Sequence, residues 1–141
     1  MILSRAAEVA LAALPLLSAP GAHAKGRGAK ELAEAAGVPA PFLAQVLKRL
    51  AHQGLLRSKR GRAGGFVLGR PSSEITVADV VLALDGRDEL DAAFPPLRGP
   101  AGALLGPVRD RAFALMRGTT LAGLGSHPDA VEAGPPPSRR T

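Results

Sequence analysis

Apolar positions spaced three and four residues apart predict three short helices in the first part of the chain. Each stretch has a boundary residue of the expected type: Ser4 can cap the first helix, Gly37 can end the second, and Gly54 can end the third. Pro15 is expected to kink the first helix or to end its first segment. The predicted helices are Ala6–Leu17, Ala29–Ala36 and Phe42–Gln53.

The pattern changes after Gly54 to two short strands, Leu55–Ser58 and Phe66–Leu68, on either side of a loop rich in glycine and cations. Helical spacing then returns, and Thr76 and Asp79 stand at the separation of a capping box. The later predicted helices are Thr76–Leu84, Pro107–Arg117 and a last turn at Thr120–Leu124, with an irregular segment at Gly86–Gly102.

The segment Ala29–Lys48 has the spacing of a helix-turn-helix. Ala33 is small where the two helices would cross, and Gly37 tolerates the positive φ that the turn requires. The positions that would face the shared core are all apolar, namely Leu32, Ala36, Val38, Leu43 and Val46. An αα-hairpin that does not bind DNA shares this apolar spacing, so the helical pattern alone leaves that alternative open.

The second helix of this unit should expose side chains that can contact DNA. Gln45 can form two hydrogen bonds with an adenine edge, and Lys48 and Arg49 can reach guanine or phosphate. Phe42, Ala44 and His52 are expected on the same side of the helix. This face is therefore the candidate recognition surface.

The loop Lys59–Gly65 is interpreted as a wing. Its tip carries the cations Lys59, Arg60 and Arg62, which can lie against phosphates or enter a narrow minor groove. A nucleotide-binding phosphate loop is the rival interpretation of a stretch rich in glycine and lysine. That interpretation is disfavoured because the stretch lacks the Gly-Lys-Ser/Thr ending and does not lead into a helix.

Charge is distributed unevenly along the chain of 141 residues. Residues 1–70 carry 11 Lys or Arg and 3 Glu, or +8, whereas residues 71–141 carry 7 Arg and 9 acids, or −2, which sums to +6. A basic front half is expected of a protein with a polyanionic partner. The absence of cysteine excludes disulfides and thiolate-bound metal, and no nucleophile–base pair or cofactor motif indicates an enzyme.

Residues 1–24 also permit a second interpretation, as a secretory signal with the cleavage motif Ala22-His23-Ala24. Glu8 inside the apolar stretch and the helical spacing argue against it, and no stretch reaches the length of a membrane span, about 18 residues. A secreted protein processed after Ala24 remains an alternative. So does a winged-helix adaptor that binds proteins and no operator.

Two motifs then give a family resemblance. Arg60-Gly-Arg-Ala-Gly-Gly-Phe66 and Ile75-Thr-Val-Ala-Asp-Val-Val-Leu-Ala-Leu-Asp-Gly86 resemble the Rrf2 family of winged-helix transcriptional regulators, the group of IscR, NsrR and CymR. Met1–Arg5 and Thr120–Leu124 resemble the ends of that family, so the resemblance covers residues 1–124. It implies a mainly α fold, a winged helix-turn-helix with a two-stranded β-wing and a C-terminal dimerisation helix.

The resemblance also implies a function: a cytoplasmic homodimer that binds double-stranded DNA at a palindromic operator, as a repressor, with no membrane partner. The implied organisation is a DNA-binding domain at residues 1–70, a linker helix and dimerisation region at 71–124, and a disordered tail at 125–141.

Site residues are carried over by position. Ser4 and Arg5 match a phosphate-contacting start, Gln45 a recognition-helix glutamine and Arg60 a wing arginine, while Phe42 stands where the family usually has tyrosine. The predicted DNA-contacting set is Ser4, Arg5, Lys30, Phe42, Gln45, Lys48, Arg49, Lys59, Arg60, Arg62, Gly64 and Gly65. The predicted dimerisation residues are Leu105, Val108, Ala112 and Leu115.

Several positions depart from the family pattern. Ala44 replaces a base-reading glutamate of several members, and Arg62-Ala63 replaces a usual Pro-Gly, so their operator sequences do not transfer. Gly106-Pro107 is expected to interrupt the dimer helix by shortening or kinking it.

The largest departure lies between Gly86 and Gly106, where many relatives hold an iron–sulfur cluster with three cysteines and this chain has none. Glu8 lies near a carboxylate ligand of some members, but it cannot hold a cluster without thiolates. No cofactor and no metal are predicted. The regulatory signal stays open among a small-molecule effector, a protein effector, a replacement metal and none.

Overall fold

Six α-helices and two short strands form the described part of the computed structural model, which comprises residues 3–18, 26–61, 64–93 and 96–126. The helices are α1 (Arg5–Ala13), α2 (Ala29–Ala36), α3 (Ala40–His52), α4 (Val77–Ala93), α5 (Gly99–Gly118) and α6 (Leu121–Gly125). The strands are β1 (Leu56–Lys59) and β2 (Gly65–Leu68), and short 3₁₀ turns occupy Leu14–Ser18 and Ser72–Glu74. The prediction of a mainly helical fold with a two-stranded wing is confirmed.

Helix α1 begins and ends where its sequence requires. The Ala7 N–H donates to Ser4 Oγ at 3.1 Å, which confirms Ser4 as the N-cap. The helix ends at Ala13, and the chain continues through Pro15 as a 3₁₀ turn. Its alanine-rich face is buried, which allows neighbouring helices to approach closely.

The turn between α2 and α3 depends on Gly37, whose φ of 68° lies in the left-handed region that glycine adopts without steric cost. The Val38 N–H donates to the Ala33 carbonyl at 3.0 Å and closes the end of α2. Helix α3 begins at Ala40, two residues before its predicted start, because Pro41 in the first turn has no N–H to satisfy there.

Strands β1 and β2 pair antiparallel, with Leu56 opposite Leu68 and Lys59 opposite Gly65. A third segment joins the wing: the Arg27 N–H donates to the Phe66 carbonyl at 3.0 Å, and the Phe66 N–H donates to the Arg27 carbonyl at 2.8 Å. This approach requires glycine at position 65, since a Cβ there would lie 2.4 Å from the Arg27 carbonyl carbon.

Helix α4 starts with the predicted capping box. The Asp79 N–H donates to Thr76 Oγ1 at 3.1 Å, and the Thr76 N–H donates to the Asp79 carboxylate at 2.9 Å. The helix breaks only at Gly86, where φ is 74° and ψ is 168°.

The prediction of an irregular Gly86–Gly102 is wrong in part. Residues 87–93 are helical and α5 begins at Gly99, because the Glu, Leu, Arg and Ala residues of these segments are good helix formers.

Helix α5 runs through Pro107, so the prediction that Gly106-Pro107 shortens this helix is wrong. Proline removes one N–H from the helix and leaves the carbonyl four residues earlier without a donor. That carbonyl belongs to Ala103, which is exposed to water, so the loss is tolerated. Helix α6 follows as predicted, with Thr120 Oγ1 accepting from the Gly123 N–H at 3.1 Å.

One principal core joins α1, α2, α3, the wing strands and the start of α4, and a smaller cluster under α5 contains Val77, Val81 and Met116. Of the helices described, none is long and apolar enough to cross a membrane. The predicted tail beyond Ser126 and the motif Ala22-His23-Ala24 lie outside the described residues.

Candidate nucleic-acid interface

Helix α3 has a buried apolar face and an exposed polar face. Its core-facing side chains are fully buried, namely Leu43, Val46, Leu47 and Leu50. On the other side Gln45, Lys48 and Arg49 are exposed, as the helical spacing predicted. Close packing of the apolar face fixes the helix, so its polar face is presented in one orientation.

Two residues of the predicted recognition surface take part in packing as well. Phe42 is half-buried and packs against the principal core, where it anchors the start of α3. The Arg49 guanidinium donates to the Leu84 carbonyl at the end of the first segment of α4. Arg49 therefore connects the recognition helix to α4, a role that the helical pattern did not indicate.

The wing presents Arg60 and Gly61 at an exposed tip, while Arg62 lies outside the described residues. The two predicted glycines of the wing serve close packing: the Gly64 N–H donates to the Gly61 carbonyl at 2.9 Å, and a Cβ on Gly64 would lie 2.5 Å from the Lys59 carbonyl oxygen. Glycine here lets the chain turn tightly enough to hold the cations outward.

Ser4 and Arg5 lie at the start of α1 and have different surroundings. The Ser4 hydroxyl donates to the Asp85 carboxylate, so this side chain joins α1 to α4 in addition to capping α1. Arg5 is exposed and forms an ion pair with Glu8 at 3.6 Å. An exposed ion pair of this kind contributes little to the stability of the fold. A DNA phosphate can therefore take the place of Glu8 beside Arg5 at a small cost in free energy.

Two cations on the wing and on the segment paired with it are absent from the predicted set. Arg57 is exposed on β1, and Arg27 pairs with β2 through its backbone while its side chain contacts Glu31 at 2.8 Å. A signal for this surface was present in the sequence: residues 35–73 carry seven Lys or Arg and no Asp or Glu. Lys30, from the predicted set, is exposed on α2.

The side chains of this chain cannot provide the ligands that an iron–sulfur cluster requires. Such clusters are held mainly by thiolates, and the chain contains no cysteine. Within the described ranges, no group of three His, Cys, Asp or Glu side chains could hold a metal ion.

Comparison with known proteins identifies relatives of this arrangement. The sequence profile of the Rrf2 family, described as iron-dependent transcriptional regulator, matches residues 3–124. Rv1287 of Mycobacterium tuberculosis, provisionally named an HTH-type transcriptional regulator, is 38% identical over 111 residues, which cover 72% of this chain and 68% of that protein. IscR of Photorhabdus laumondii, an HTH-type transcriptional regulator, is 42% identical over 55 residues, or 39% of this chain and 34% of IscR.

Solved structures show the same fold. CymR, the global cysteine regulator of B. subtilis, superposes with a TM-score of 0.74 at 27% identity, covering 89% of this chain and 97% of CymR. IscR of T. potens superposes with a TM-score of 0.69 at 24% identity over 88% and 85% of the two chains, a likeness of fold. The profile match, the shared helix-turn-helix and the wing lead to one conclusion: the chain belongs to the Rrf2 family of DNA-binding transcriptional regulators and is not an enzyme.

Proposed function

We propose that this chain acts as a homodimeric repressor on a palindromic DNA operator, without an iron–sulfur cluster. Helix α3 enters the major groove of each half-site, and the wing lies along the adjacent backbone or minor groove. The observation that carries the proposal is the exposed face of α3, where Gln45 and Lys48 project from a helix whose opposite face is fully buried. This face lies within the acid-free stretch, residues 35–73, that also supplies the wing.

The proposed contacts divide into two classes. Gln45 and Arg60 read bases, because each offers directional hydrogen bonds that only certain base edges complement. The phosphate contacts come from Arg5, Lys30, Lys48, Lys59 and Arg62, and they supply affinity that depends on salt. Arg49 positions the recognition helix, since its guanidinium is held at the Leu84 carbonyl.

The proposed dimer forms through α5. Leu104 is 74% exposed, Val108 64% and Leu115 51%, and their spacing of four and seven residues places them on one face of the helix. Leu105, at 46% exposed, and the half-buried Ala112 border this stripe. An exposed apolar stripe of this length is expected to pack against a second copy, as in antiparallel or crossed helix pairs. In this proposal residues 1–70 bind DNA and residues 71–124 link and dimerise.

Repression follows from occupancy. A dimer whose recognition helices are about 34 Å apart covers more than one turn of promoter DNA, and it thereby blocks access of the transcription machinery. A reporter gene placed behind the bound site should be expressed less when the chain is present.

Selection from a random duplex library at about 150 mM salt tests the proposal, because non-specific binding is weak there. The enriched sequences should contain an inverted repeat whose half-sites are about 10 base pairs apart. The Gln45→Ala variant should enrich the same repeat with a weaker base preference at one position in each half-site. Enrichment of a single unrepeated motif would exclude the dimeric arrangement.

A protein-binding adaptor predicts a different result. An adaptor should enrich no sequence from the library. It should also leave the gel mobility of promoter DNA unchanged even at about 50 mM salt, where electrostatic binding is favoured. These two results together would contradict the DNA-binding proposal and favour the adaptor.

A further inference from the structure

A cleft of about 260 Å³ lies between α4 and α5, apart from the DNA-contacting surface. Its lining residues are Ala78, Leu82, Arg87, Asp91, Arg109, Phe113 and Arg117. The volume is slightly below the range typical of ligand pockets, about 300–1,000 Å³, so the cleft suits a molecule the size of a single ring.

The lining combines an apolar wall with an excess of positive charge. Ala78, Leu82 and Phe113 provide the wall, and among the side chains that the structure describes three arginines stand against one carboxylate, Asp91. The Arg109 guanidinium lies 4.9 Å from the centre of the Phe113 ring and 3.7 Å from Asp91, so Arg109 is held in place as part of the wall.

The other two arginines differ from Arg109. Among the described residues, neither Arg87 nor Arg117 forms an ion pair, and both are exposed. A guanidinium presents paired N–H donors that match a carboxylate or a phosphate. The cleft therefore offers an anion two donors beside an apolar surface for the rest of the molecule.

The cleft lies on a different side of α5 from the proposed dimer stripe. At 100° per residue, Phe113 and Arg117 follow Val108 by about 140° and 180° around the helix. Met116, which precedes Arg117, is buried against α4. A second copy on the Val108 face does not by itself fill this cleft.

The cleft is also connected to the DNA-contacting elements. Arg87 follows Gly86, where the backbone of α4 breaks. Two residues before the break, the Leu84 carbonyl accepts from Arg49 of α3, and one residue before it the Asp85 carboxylate accepts from Ser4 at the cap of α1. A molecule that holds Arg87 against α5 acts on the segment beyond Gly86, which begins two residues after Asp85 and three after Leu84.

We propose that this cleft binds a small organic anion with one apolar, ring-sized part, and that its occupation changes the affinity of the chain for DNA. The regulatory half rests on the proposed DNA-binding function; the binding site itself does not.

Benzoate is a suitable probe, with benzamide as its uncharged isostere and acetate as the carboxylate without a ring. Amide resonances of the ¹⁵N-labelled full chain are followed during titration, and those of Leu82 and Phe113 should shift with benzoate. Benzamide should bind about tenfold more weakly, as should benzoate to Arg117→Gln, since a hydrogen bond to a charged group is lost. Acetate should also bind about tenfold more weakly, because it keeps the carboxylate but has no ring to bury against the apolar wall. The control Arg111→Gln alters an exposed arginine of the same helix outside the cleft and should bind benzoate like the parent.

Equal binding of benzoate and benzamide, or equal effects of the two arginine substitutions, would overturn the site. For the regulatory half, the affinity for a selected duplex is measured with and without saturating benzoate, and a change of about fivefold or more is expected. An unchanged affinity with the cleft occupied would overturn that half. If no duplex binds even without benzoate, the DNA-binding proposal fails, and the resonance shifts still decide whether the cleft is a site.

Discussion

Arg60 and Gln45 represent the two ways in which single side chains contact DNA in the proposed complex. Gln45 projects from a helix that the core holds on its other side, so its position is set before binding. Arg60 projects from a tight turn that depends on Gly64. The backbone at both positions is set before binding, so binding has to order only the side chains, which favours specificity.

We expect Arg60→Ala to weaken binding to the selected operator by roughly 1–3 kcal/mol and to relax the preference at one base step. The loss follows from the hydrogen bonds that arginine forms with a base edge or in the minor groove. Competition titrations against single-base operator variants measure both effects. Arg111→Ala, on the exposed side of α5, is the matched control, and equal losses for the two variants would contradict the assignment.

Lys48→Ala should behave differently, because Lys48 is assigned to phosphate. We expect it to weaken binding to all sequences by a similar factor and to lower the slope of log K against log salt by about one. Affinities measured between about 50 and 200 mM salt give this slope. An unchanged slope, or a loss confined to one operator sequence, would show that Lys48 does not contact phosphate.

Helix α4 is the element on which the connection between the two halves of the chain depends. Its capping box fixes the start, its first segment ends beside Arg49 and Ser4, and its backbone breaks at Gly86. The backbone angles at Gly86, φ 74° and ψ 168°, are essentially restricted to glycine.

We expect Gly86→Ala to lower the free energy of unfolding by about 1–3 kcal/mol, since a Cβ strains this conformation. Gly106→Ala is the matched control: Gly106 lies inside helix α5 with open space at its Cβ position, so alanine should raise stability by roughly 0.5–1 kcal/mol. Urea denaturation of both variants measures the difference. Similar effects of the two substitutions would contradict the assigned backbone role of Gly86.

Local patterns predicted most elements of the fold. The Ser4 cap, the Gly37 turn and the Thr76–Asp79 capping box all follow from neighbouring residues, and the structure confirms them. The sequence did not predict α5 through Pro107, because the outcome depends on whether the freed carbonyl reaches water. It also did not predict the contact of Arg49 with Leu84, 35 residues away, since no local pattern encodes a distant partner.

At the scale of the whole molecule, the chain separates its tasks. The acid-free stretch supplies the exposed polar side of α3 and the wing, and α5 carries the exposed apolar stripe. The family match places both within residues 3–124. A monomer would leave the stripe of Leu104, Val108 and Leu115 in water, which is unfavourable for apolar surface of that extent.

We expect Val108→Asp to convert the protein to a monomer, because a carboxylate in the apolar contact would be desolvated without a partner. Ala114→Asp places the same charge on another exposed side of α5 and should leave the dimer intact. Light scattering coupled to size exclusion gives the mass of each variant. A dimeric Val108→Asp protein would show that α5 does not form the contact in the proposed way.

In the proposed complex two copies read the two halves of one operator, and a single affinity ratio decides whether they do. The measurement compares binding to a selected duplex with binding to the same duplex after one half-site is scrambled. We predict a loss of at least about a hundredfold at about 150 mM salt, since one recognition helix and one wing then have only non-specific contacts. Equal affinity for the intact and the half-scrambled duplex would contradict the claim.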